Sequence, residues 1–198
     1  MKLYFLLTLS LILILLIFFM MTPMPSDVQT FKPRIDKGQV LIGIISDTHI
    51  PTRADKIPEE VYREFEDVDL IIHAGDFVDI SVSKELERIA PVIGVEGNMD
   101  FKNIRDKYPE LAIIKIYNYK IGVYHGSFLP WVLGNIARKY KLNVMISGHI
   151  HRPSIRRGDI IYINPGSATN PFLAKKSVAR LKLTMESIDA EIIYLKEF

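Results

Sequence analysis

Residues 40–49 read VLIGIISDTH, an apolar run followed directly by a short polar motif. Val40 to Ile45 is an apolar, β-branched run, which predicts a strand that is buried on both faces. Two residues that commonly bind metals, Asp47 and His49, follow it directly. Side chains two positions apart in extended chain share a face, so both can reach one ion or two adjacent ions. We therefore expect a pair of metal ligands just past the end of a central strand.

The same combination of an apolar run and a short polar motif occurs four more times. These motifs are Gly75-Asp76, Gly97-Asn98-Met99-Asp100, Tyr124-His125-Gly126 and Gly148-His149-Ile150-His151. Successive motifs are separated by roughly two dozen residues, which is about one strand–helix–strand or hairpin unit. Open α/β sheets bind ligands in the crevice outside the carboxyl ends of their strands. The motifs are therefore expected to converge at one sheet edge.

The side chains that would converge there are carboxylates, an amide and imidazoles: Asp47, His49, Asp76, Asn98, His125, His149 and His151. The chain has no cysteine, which excludes thiolate metal sites and disulfides. A mixed oxygen and imidazole set suits Mn, Fe, Co, Ni or Zn better than Ca or Mg alone. Seven ligands exceed the needs of one ion with an open position, but they suit two ions roughly 3.5–4 Å apart that share a carboxylate.

Each motif also has an ordinary structural interpretation when it is taken alone. A His-x-His pair is commonly structural, Gly75-Asp76 and Gly97-Asn98 suit turns, and Asp100 suits the N-cap of a helix that begins at Phe101. The occurrence of all the motifs at successive strand ends favours the metal site. His73 lies before its turn, within the strand, and we interpret it as structural or as a support for the ligands.

The apolar runs alternate with helical patterns in the first part of the body and with hairpin signals in the second. We expect an α/β fold in which a sandwich of two mixed β-sheets is flanked by helices. The predicted strands are 40–45, 70–74, 92–95, 112–117, 120–124, 144–147, a hairpin over 155–163, 178–185 and 191–195; the predicted helices are 58–67, 81–90, 102–108 and 130–140.

The N-terminus differs in composition from the body. Residues 3–21 carry no charge and are long enough, as a helix, to span the hydrocarbon core of a bilayer. We interpret residues 1–21 as an uncleaved membrane anchor, and the positive charges after them place the domain in the cytoplasm. The alternatives are a cleaved signal peptide and a true start at Met20, Met21 or Met24, which would give a cytoplasmic protein.

Residues 22–38 are polar and contain Pro23, Pro25 and Pro33, which predicts a linker. Residues 39–198 are then one domain with enough chain for a full core. A net charge of +2 gives no sign of sequence-specific nucleic-acid binding. The sequence is compatible with a homo-oligomer but does not specify one.

The order of these motifs resembles that of the calcineurin-like metallophosphoesterases: D-x-H, G-D, G-N-x-D, H-G and G-H-x-H. The short length and the segment Ile163-Asn164-Pro165-Gly166-Ser167 resemble the small YfcE-like phosphodiesterase branch. The resemblance runs from Val40 to the C-terminus, which makes 39–198 a metallophosphoesterase domain and leaves the apolar N-terminus outside it.

The resemblance implies a metal-dependent phosphoesterase, with a phosphodiesterase favoured. It assigns one ion to Asp47, His49 and His151 and the other to Asn98, His125 and His149, with Asp76 as the bridge. The two divalent ions would be Mn first, with Ni, Fe, Co or Zn as alternatives. A hydroxide that bridges the ions would attack phosphorus, with Asp76, Asn98 and His125 as the catalytic residues around it.

Two positions near the motifs affect the expected chemistry. Many relatives have His where this chain has Met99, and Met99 cannot protonate a leaving group, so activated esters would be preferred. Asp100, a weaker catalytic candidate, loses the histidine that it would orient. Arg53 is a candidate contact for the substrate phosphate, and the alternative interpretation is an ordinary surface arginine.

Two other functions remain open on the same resemblance. A retromer subunit uses this fold to bind proteins, so one alternative is a non-catalytic metal-binding scaffold with protein partners. The other alternative is a phosphomonoesterase.

Overall fold

The computed structural model describes residues 24–34, 36–126 and 130–196, and these residues form two mixed β-sheets. The five-stranded sheet has the order β11-β10-β2-β3-β4, with β2, β3 and β4 parallel and β10 antiparallel to both β2 and β11. Its strands are β2 (Gln39–Ile45), β3 (Leu70–His73), β4 (Val92–Gly94), β10 (Ser177–Thr184) and β11 (Ile188–Tyr194).

The six-stranded sheet has the order β1-β5-β6-β7-β9-β8. Strands β6, β7 and β9 are parallel, whereas β5–β6 and β8–β9 are antiparallel hairpins. Its strands are β1 (Val28–Phe31), β5 (Leu111–Ile116), β6 (Tyr119–Tyr124), β7 (Val144–Ile146), β8 (Ser154–Arg156) and β9 (Ile161–Asn164). The expected sandwich of two mixed sheets is therefore confirmed for the described residues.

The core between the sheets is built from the inward faces of their strands. Ile42 and Ile44 of the first sheet and Ile114 and Val123 of the second belong to one buried cluster. Since β2 is covered on both faces, its sequence is a near-continuous apolar run rather than an alternating one. The outer faces of the sheets are covered by helices.

The described helices are α1 (Glu59–Glu64), α2 (Ile80–Leu86), α3 (Lys102–Arg105) and α4 (Pro130–Tyr140). The first three belong to a buried cluster on the five-stranded sheet that includes Ile71, and α4 packs on the six-stranded sheet with Leu111. Gly43 of β2 allows the Phe65 ring to pack closely against the strand, because a Cβ at that glycine would lie 2.9 Å from the ring. Helices α1 to α3 are shorter than predicted, since their last apolar residues lie in turns.

Part of the segment that was predicted to be a linker is a strand. Residues 28–31 pair in parallel with residues 111–114 of β5 at the edge of the six-stranded sheet. Four residues are too few to show a period in the sequence, and the partner strand lies some eighty residues further along the chain. The pairing could therefore be recognised only in the folded molecule.

The prediction of a membrane-anchored protein needs correction. In the described ranges 24–34, 36–126 and 130–196, no helix is long and apolar enough to cross a bilayer. Residues 1–21, which carried the predicted anchor and its apolar helix, lie outside the described residues. The anchored localisation is therefore withdrawn.

Candidate metal centre

The five motifs meet at the edge of the sandwich where strands β2, β3, β4, β6 and β7 end. Asp47, Asp76 and Asn98 follow the parallel strands β2, β3 and β4, while His125 and His149 follow β6 and β7. Backbone hydrogen bonds join neighbouring loops, from Asp47 N to Gly75 O at 3.0 Å and from Gly148 N to His125 O at 2.8 Å. The backbone N–H of His149 crosses between the sheets and donates to both carboxylate oxygens of Asp47 at 3.1 Å.

The first group of candidate ligands consists of Asp47, His49 and His151, and all three are buried. The Nε2 atoms of the two histidines lie 3.1 Å apart. Asp47 Oδ1 lies 3.3 Å from His151 Nε2 and 3.9 Å from His49 Nε2. Two imidazole nitrogens and a carboxylate oxygen that converge in this way are a donor set for a cation.

The second group consists of Asp76, Asn98, His125 and His149. Asn98 Oδ1 lies 3.2 Å from His125 Nε2 and 2.9 Å from His149 Nδ1. Asp76 Oδ2 lies 3.3 Å from His125 Nε2 and 3.6 Å from His49 Nε2 in the first group. One oxygen of Asp76 therefore faces both groups.

The backbone of these loops takes a conformation that is rare outside glycine. Asp47, His49, Asp76, His149 and His151 all have φ between 48° and 70°. Non-glycine residues in this left-handed region are strained, and such strain persists where the surrounding structure fixes it and is common at functional sites. The sequence gives no sign of this strain. It is found at five of the seven candidate ligands.

Two glycines of the motifs allow close approach to the carboxylates. A Cβ at Gly97 would lie 2.2 Å from Asp76 Oδ1, and a Cβ at Gly148 would lie 2.7 Å from Asp47 Oδ2. Both distances are too short for a real Cβ, so each glycine is required by the packing of a carboxylate against a neighbouring loop. This explains why glycine accompanies the polar residues in these two motifs.

The imidazole charges differ between members of the site. Burial lowers the pKa of His49 and of His149, so both rings are neutral near pH 7. Burial also acts to lower the pKa of His125, but the hydrogen bond to Asp76 and the charges of Asp47 and Asp76 outweigh it and raise the pKa to about 9. Asp76 is buried too, yet His125 and the N–H of Met99 lower its pKa to about 2.

Asp100 stabilises the loops rather than facing the candidate ligands. Its Oδ2 accepts the backbone N–H groups of Asp76 at 3.1 Å and Gly97 at 2.7 Å, and its Oδ1 accepts that of Val78 at 2.6 Å. Burial raises its pKa to about 6, although the N–H groups of Val78 and Gly97 act in the opposite direction. The predicted N-cap role is absent, because the N-cap of α3 is Phe101.

Arg53 and His73 belong to neither group of candidate ligands. Arg53 is exposed in the loop after His49, and its backbone N–H donates to His49 O at 2.8 Å. His73 is fully buried, stacks on Phe77 with ring centroids 3.4 Å apart, and contacts Thr48 Oγ1 through Nε2 at 3.1 Å.

Several polar residues that support Asp47 were not identified from the sequence. Ser46 Oγ lies 2.7 Å from Asp47 Oδ2, and Ser167 Oγ donates to Asp47 O at 2.8 Å. Thr169 Oγ1 donates to Thr48 O at 2.8 Å, and all of these side chains are buried. Ser46 is adjacent to Asp47 in the sequence, whereas Ser167 and Thr169 follow β9 and reach Asp47 and Thr48 only in the folded chain.

The residues present fit a divalent metal. His125 Nδ1 lies 2.7 Å from Ala74 O, so it donates to this carbonyl, and Nε2 faces Asp76 and Asn98, where it would offer a lone pair once it loses its proton. Such an outer hydrogen bond is the usual way in which a protein orients a metal-binding imidazole. The oxygen and imidazole donors suit borderline divalent ions.

Comparison with known proteins agrees with this geometry. Residues 40–186 match the calcineurin-like phosphoesterase superfamily domain. The chain belongs to this superfamily. It is 43% identical over 159 residues to a probable metallophosphoesterase of Methanothermobacter thermautotrophicus, which covers 78% of this chain and 92% of that protein. Membership places the chain among metallophosphoesterases, which use divalent metals and act on phosphate esters.

Solved structures of the superfamily have the same fold. A predicted phosphoesterase from Streptococcus pneumoniae is 27% identical, with a TM-score of 0.65 over 80% of this chain and 91% of that one. Vacuolar protein sorting 29 from Cryptosporidium parvum is 21% identical, with a TM-score of 0.67 over 81% of this chain and 100% of that one. At this identity, the second likeness concerns the fold alone.

Proposed function

We propose that this metallophosphoesterase is a phosphodiesterase with two divalent metal ions, Mn being the first candidate. The single observation that carries the proposal is the position of Asp76 Oδ2, 3.6 Å from His49 Nε2 and 3.3 Å from His125 Nε2. A carboxylate oxygen between two sets of nitrogen and oxygen donors is what a shared ligand of two ions requires.

The ligand assignment follows from the two groups. Asp47, His49 and His151 would hold one ion, Asn98, His125 and His149 would hold the other, and Asp76 would contact both. Bound there, the ions would activate a water as the nucleophile and neutralise the charge that develops on the phosphate oxygens. The second group is open to a ligand from solvent, since Asn98 is exposed and His149 is half-buried.

The residues of the chain do the positioning. Asp76 Oδ1 accepts the N–H of Met99 at 2.8 Å, so the carboxylate is held in place while Oδ2 faces the two groups. His125 is held by Ala74 O through Nδ1, which fixes the orientation of the ring. Arg53, exposed beside His49, is the residue proposed to contact the substrate phosphate from solvent.

The leaving group has no evident imidazole donor in this site. Met99 is 42% exposed beside Asn98, where it can contact a substrate but cannot transfer a proton. Asp100 is buried behind the loop with its oxygens on backbone N–H groups, so we assign it to positioning rather than to proton transfer. The proposed enzyme therefore prefers esters whose leaving group needs no protonation.

A non-catalytic scaffold is the second candidate, and the fold likeness to vacuolar protein sorting 29 favours it. The ligand groups argue against it, because all seven positions retain side chains that can bind a metal. A phosphomonoesterase would have the same metal centre and is separated from a phosphodiesterase by the substrate.

The test is hydrolysis of bis-p-nitrophenyl phosphate with Mn²⁺, with p-nitrophenyl phosphate as the monoester. We expect turnover of the diester by the wild type and a loss of about 10³-fold or more in Asp76→Asn and His149→Ala. Asp106→Asn is the matched control, because Asp106 is an exposed carboxylate paired with Lys102. Equal rates in the wild type and all three variants would refute the proposed catalytic function. Faster turnover of the monoester than of the diester would refute the proposed phosphodiesterase activity.

A further inference from the structure

A groove leads from the candidate metal centre between α4 and the β8–β9 hairpin. Its first part is a cavity of about 360 Å³ lined mainly by apolar groups, among them Leu133, Ile150, Tyr162 and Ile163. Gly148 also lines it, so residues on both sides of His149 in the chain contribute to the wall. The cavity therefore lies directly beside the second ligand group.

The groove continues into a second cavity of about 530 Å³. Arg156 and Tyr162 line both cavities, so the two are adjacent and meet at these side chains. Arg138 and Arg157 also line the second one, and Asp159 is the carboxylate among its lining residues. An apolar compartment at the metal centre is thus followed by a compartment with an excess of positive charge.

The three arginines differ in how they are held. Arg157 donates to Asp189 Oδ1 at 3.3 Å and to Ala190 O at 2.8 Å, so its guanidinium is already paired. Arg138 donates to Asn135 Oδ1 at 2.6 Å, and Arg156 lies over the Tyr162 ring at 5.2 Å from its centroid. Among the described residues, no carboxylate lies within ion-pair distance of Arg138 or Arg156.

The helix supports the position of Arg138. A Cβ at Gly134, one turn earlier in α4, would lie 3.5 Å from Arg138 Nη1, so the guanidinium lies against the helix at this glycine. A Cβ at this distance would make only an ordinary van der Waals contact, so the guanidinium packs along the helix surface without requiring glycine there. A guanidinium restrained in this way loses less freedom when it binds a phosphate.

We propose that this groove binds a nucleotide that carries a second phosphate, with the nucleoside in the apolar compartment and the second phosphate on Arg138 and Arg156. The inference rests on the proposed phosphoesterase function, since the first phosphate would lie at the metal centre. Apolar walls accommodate a base and sugar, and two guanidinium groups without a carboxylate partner suit a phosphate dianion. The class of substrate is a nucleotide ester with phosphates on both sides of the sugar.

The test compares the binding of thymidine 3′,5′-bisphosphate and thymidine 5′-monophosphate to the Mn²⁺-loaded full chain by calorimetry. Both probes offer one phosphate to the metals, and they differ only in the second phosphate. We expect the bisphosphate to bind at least about tenfold more tightly to the wild type. The preference should fall to within about twofold in the Arg138→Ala/Arg156→Ala double variant, and Arg156→Lys should keep part of it.

Arg63→Ala is the matched control, because Arg63 is an exposed arginine paired with Glu60 on α1, which packs on the other sheet. Equal affinities of the two probes for the wild type, or a preference that survives in the double variant, would overturn the groove assignment. Hydrolysis of bis-p-nitrophenyl phosphate should be unchanged in Arg63→Ala, which lies outside the groove. No hydrolysis by the wild type, with the bisphosphate preference intact, would instead refute the proposed function and leave the groove as a nucleotide site.

Discussion

The two ligand groups of the candidate metal centre differ in burial and in support. Asp47, His49 and His151 are all buried, with His151 the most exposed at 7%, and Asp47 accepts hydrogen bonds from the N–H of His149. Asn98 in the other group is exposed, and its amide oxygen contacts His125 and His149 of the same group. The first group is therefore preorganised by the fold, whereas the second is accessible from solvent.

The largest effect should come from removing a ligand of the buried group. Asp47→Ala leaves the buried rings of His49 and His151 without their carboxylate and removes the acceptor of the His149 N–H. We expect loss of stoichiometric metal, measured by elemental analysis after gel filtration. Asn98→Ala should retain at least one ion per chain, because the buried group stays intact. Equal metal loss in both variants would contradict the difference between the groups.

The raised pKa of His125 in the second group predicts that the stability of the metal-free protein depends on pH. The folded-state pKa of His125, about 9, is above the unfolded value of 6.5, so its ion pair with Asp76 stabilises the fold below pH 6.5. This stability is lost as the pH rises through about 9. Metal affinity should rise over the same range, because the ion must displace the His125 proton.

Urea unfolding of the chelator-treated protein between pH 6 and 9.5 measures the first effect, and metal titration measures the second. Asp76→Asn removes the partner of the protonated ring and should flatten the dependence of unfolding on pH. A wild-type stability that increases between pH 7 and 9 would contradict the assigned sign.

A smaller effect is expected when the support of the ligand loops is changed. Asp100→Asn places an amide N–H₂ where backbone N–H groups of Asp76, Gly97 and Val78 need acceptors. We expect metal affinity to fall by about 10- to 100-fold, as is typical for groups that orient ligands. Asp106→Asn should leave it unchanged, and an Asp100→Asn protein with wild-type affinity would show that the loops need no such support.

The smallest effect should come from a hydroxyl behind the buried group. Ser167→Ala removes the donor to Asp47 O, a buried hydrogen bond of 2.8 Å. Its loss should lower the free energy of unfolding by about 1 kcal/mol while metal stoichiometry stays the same. Chemical denaturation with and without metal checks both parts, and a change in stoichiometry would show that Ser167 acts on the ligand itself.

Much of the fold could be predicted from local pattern. The apolar run 40–45, the hairpin over 112–124 and the helix over 130–140 each have a period and turn residues that identify them, and all three are present. The strand over residues 28–31 could not be predicted, because its only signal is a partner distant in sequence. The predicted C-terminal ends of α1 to α3 lie too far along the chain, because the last apolar residues of each predicted helix lie in a turn and still pack against the core.

The candidate site was predictable in its members but not in its geometry. Ligand-type residues after successive strands indicated which side chains converge, and the structure brings those seven together. The role of Asp100 depended on which backbone N–H groups face it, so the sequence suggested catalysis or a helix cap where the structure shows an acceptor of N–H groups from neighbouring loops. The arginine groove had no motif at all, since Arg138 and Arg156 belong to different elements.

The sequence by itself determined the alternation of strands and polar motifs, the resemblance to a metallophosphoesterase and the set of candidate ligands. These depend on residue type and local period, which are written along the chain. Only the tertiary structure decided that Asp76 faces both ligand groups, that β1 completes the six-stranded sheet and that a groove lined by Arg138 and Arg156 lies beside the candidate metal centre. Each of these depends on distances between residues far apart in the chain, which packing alone fixes.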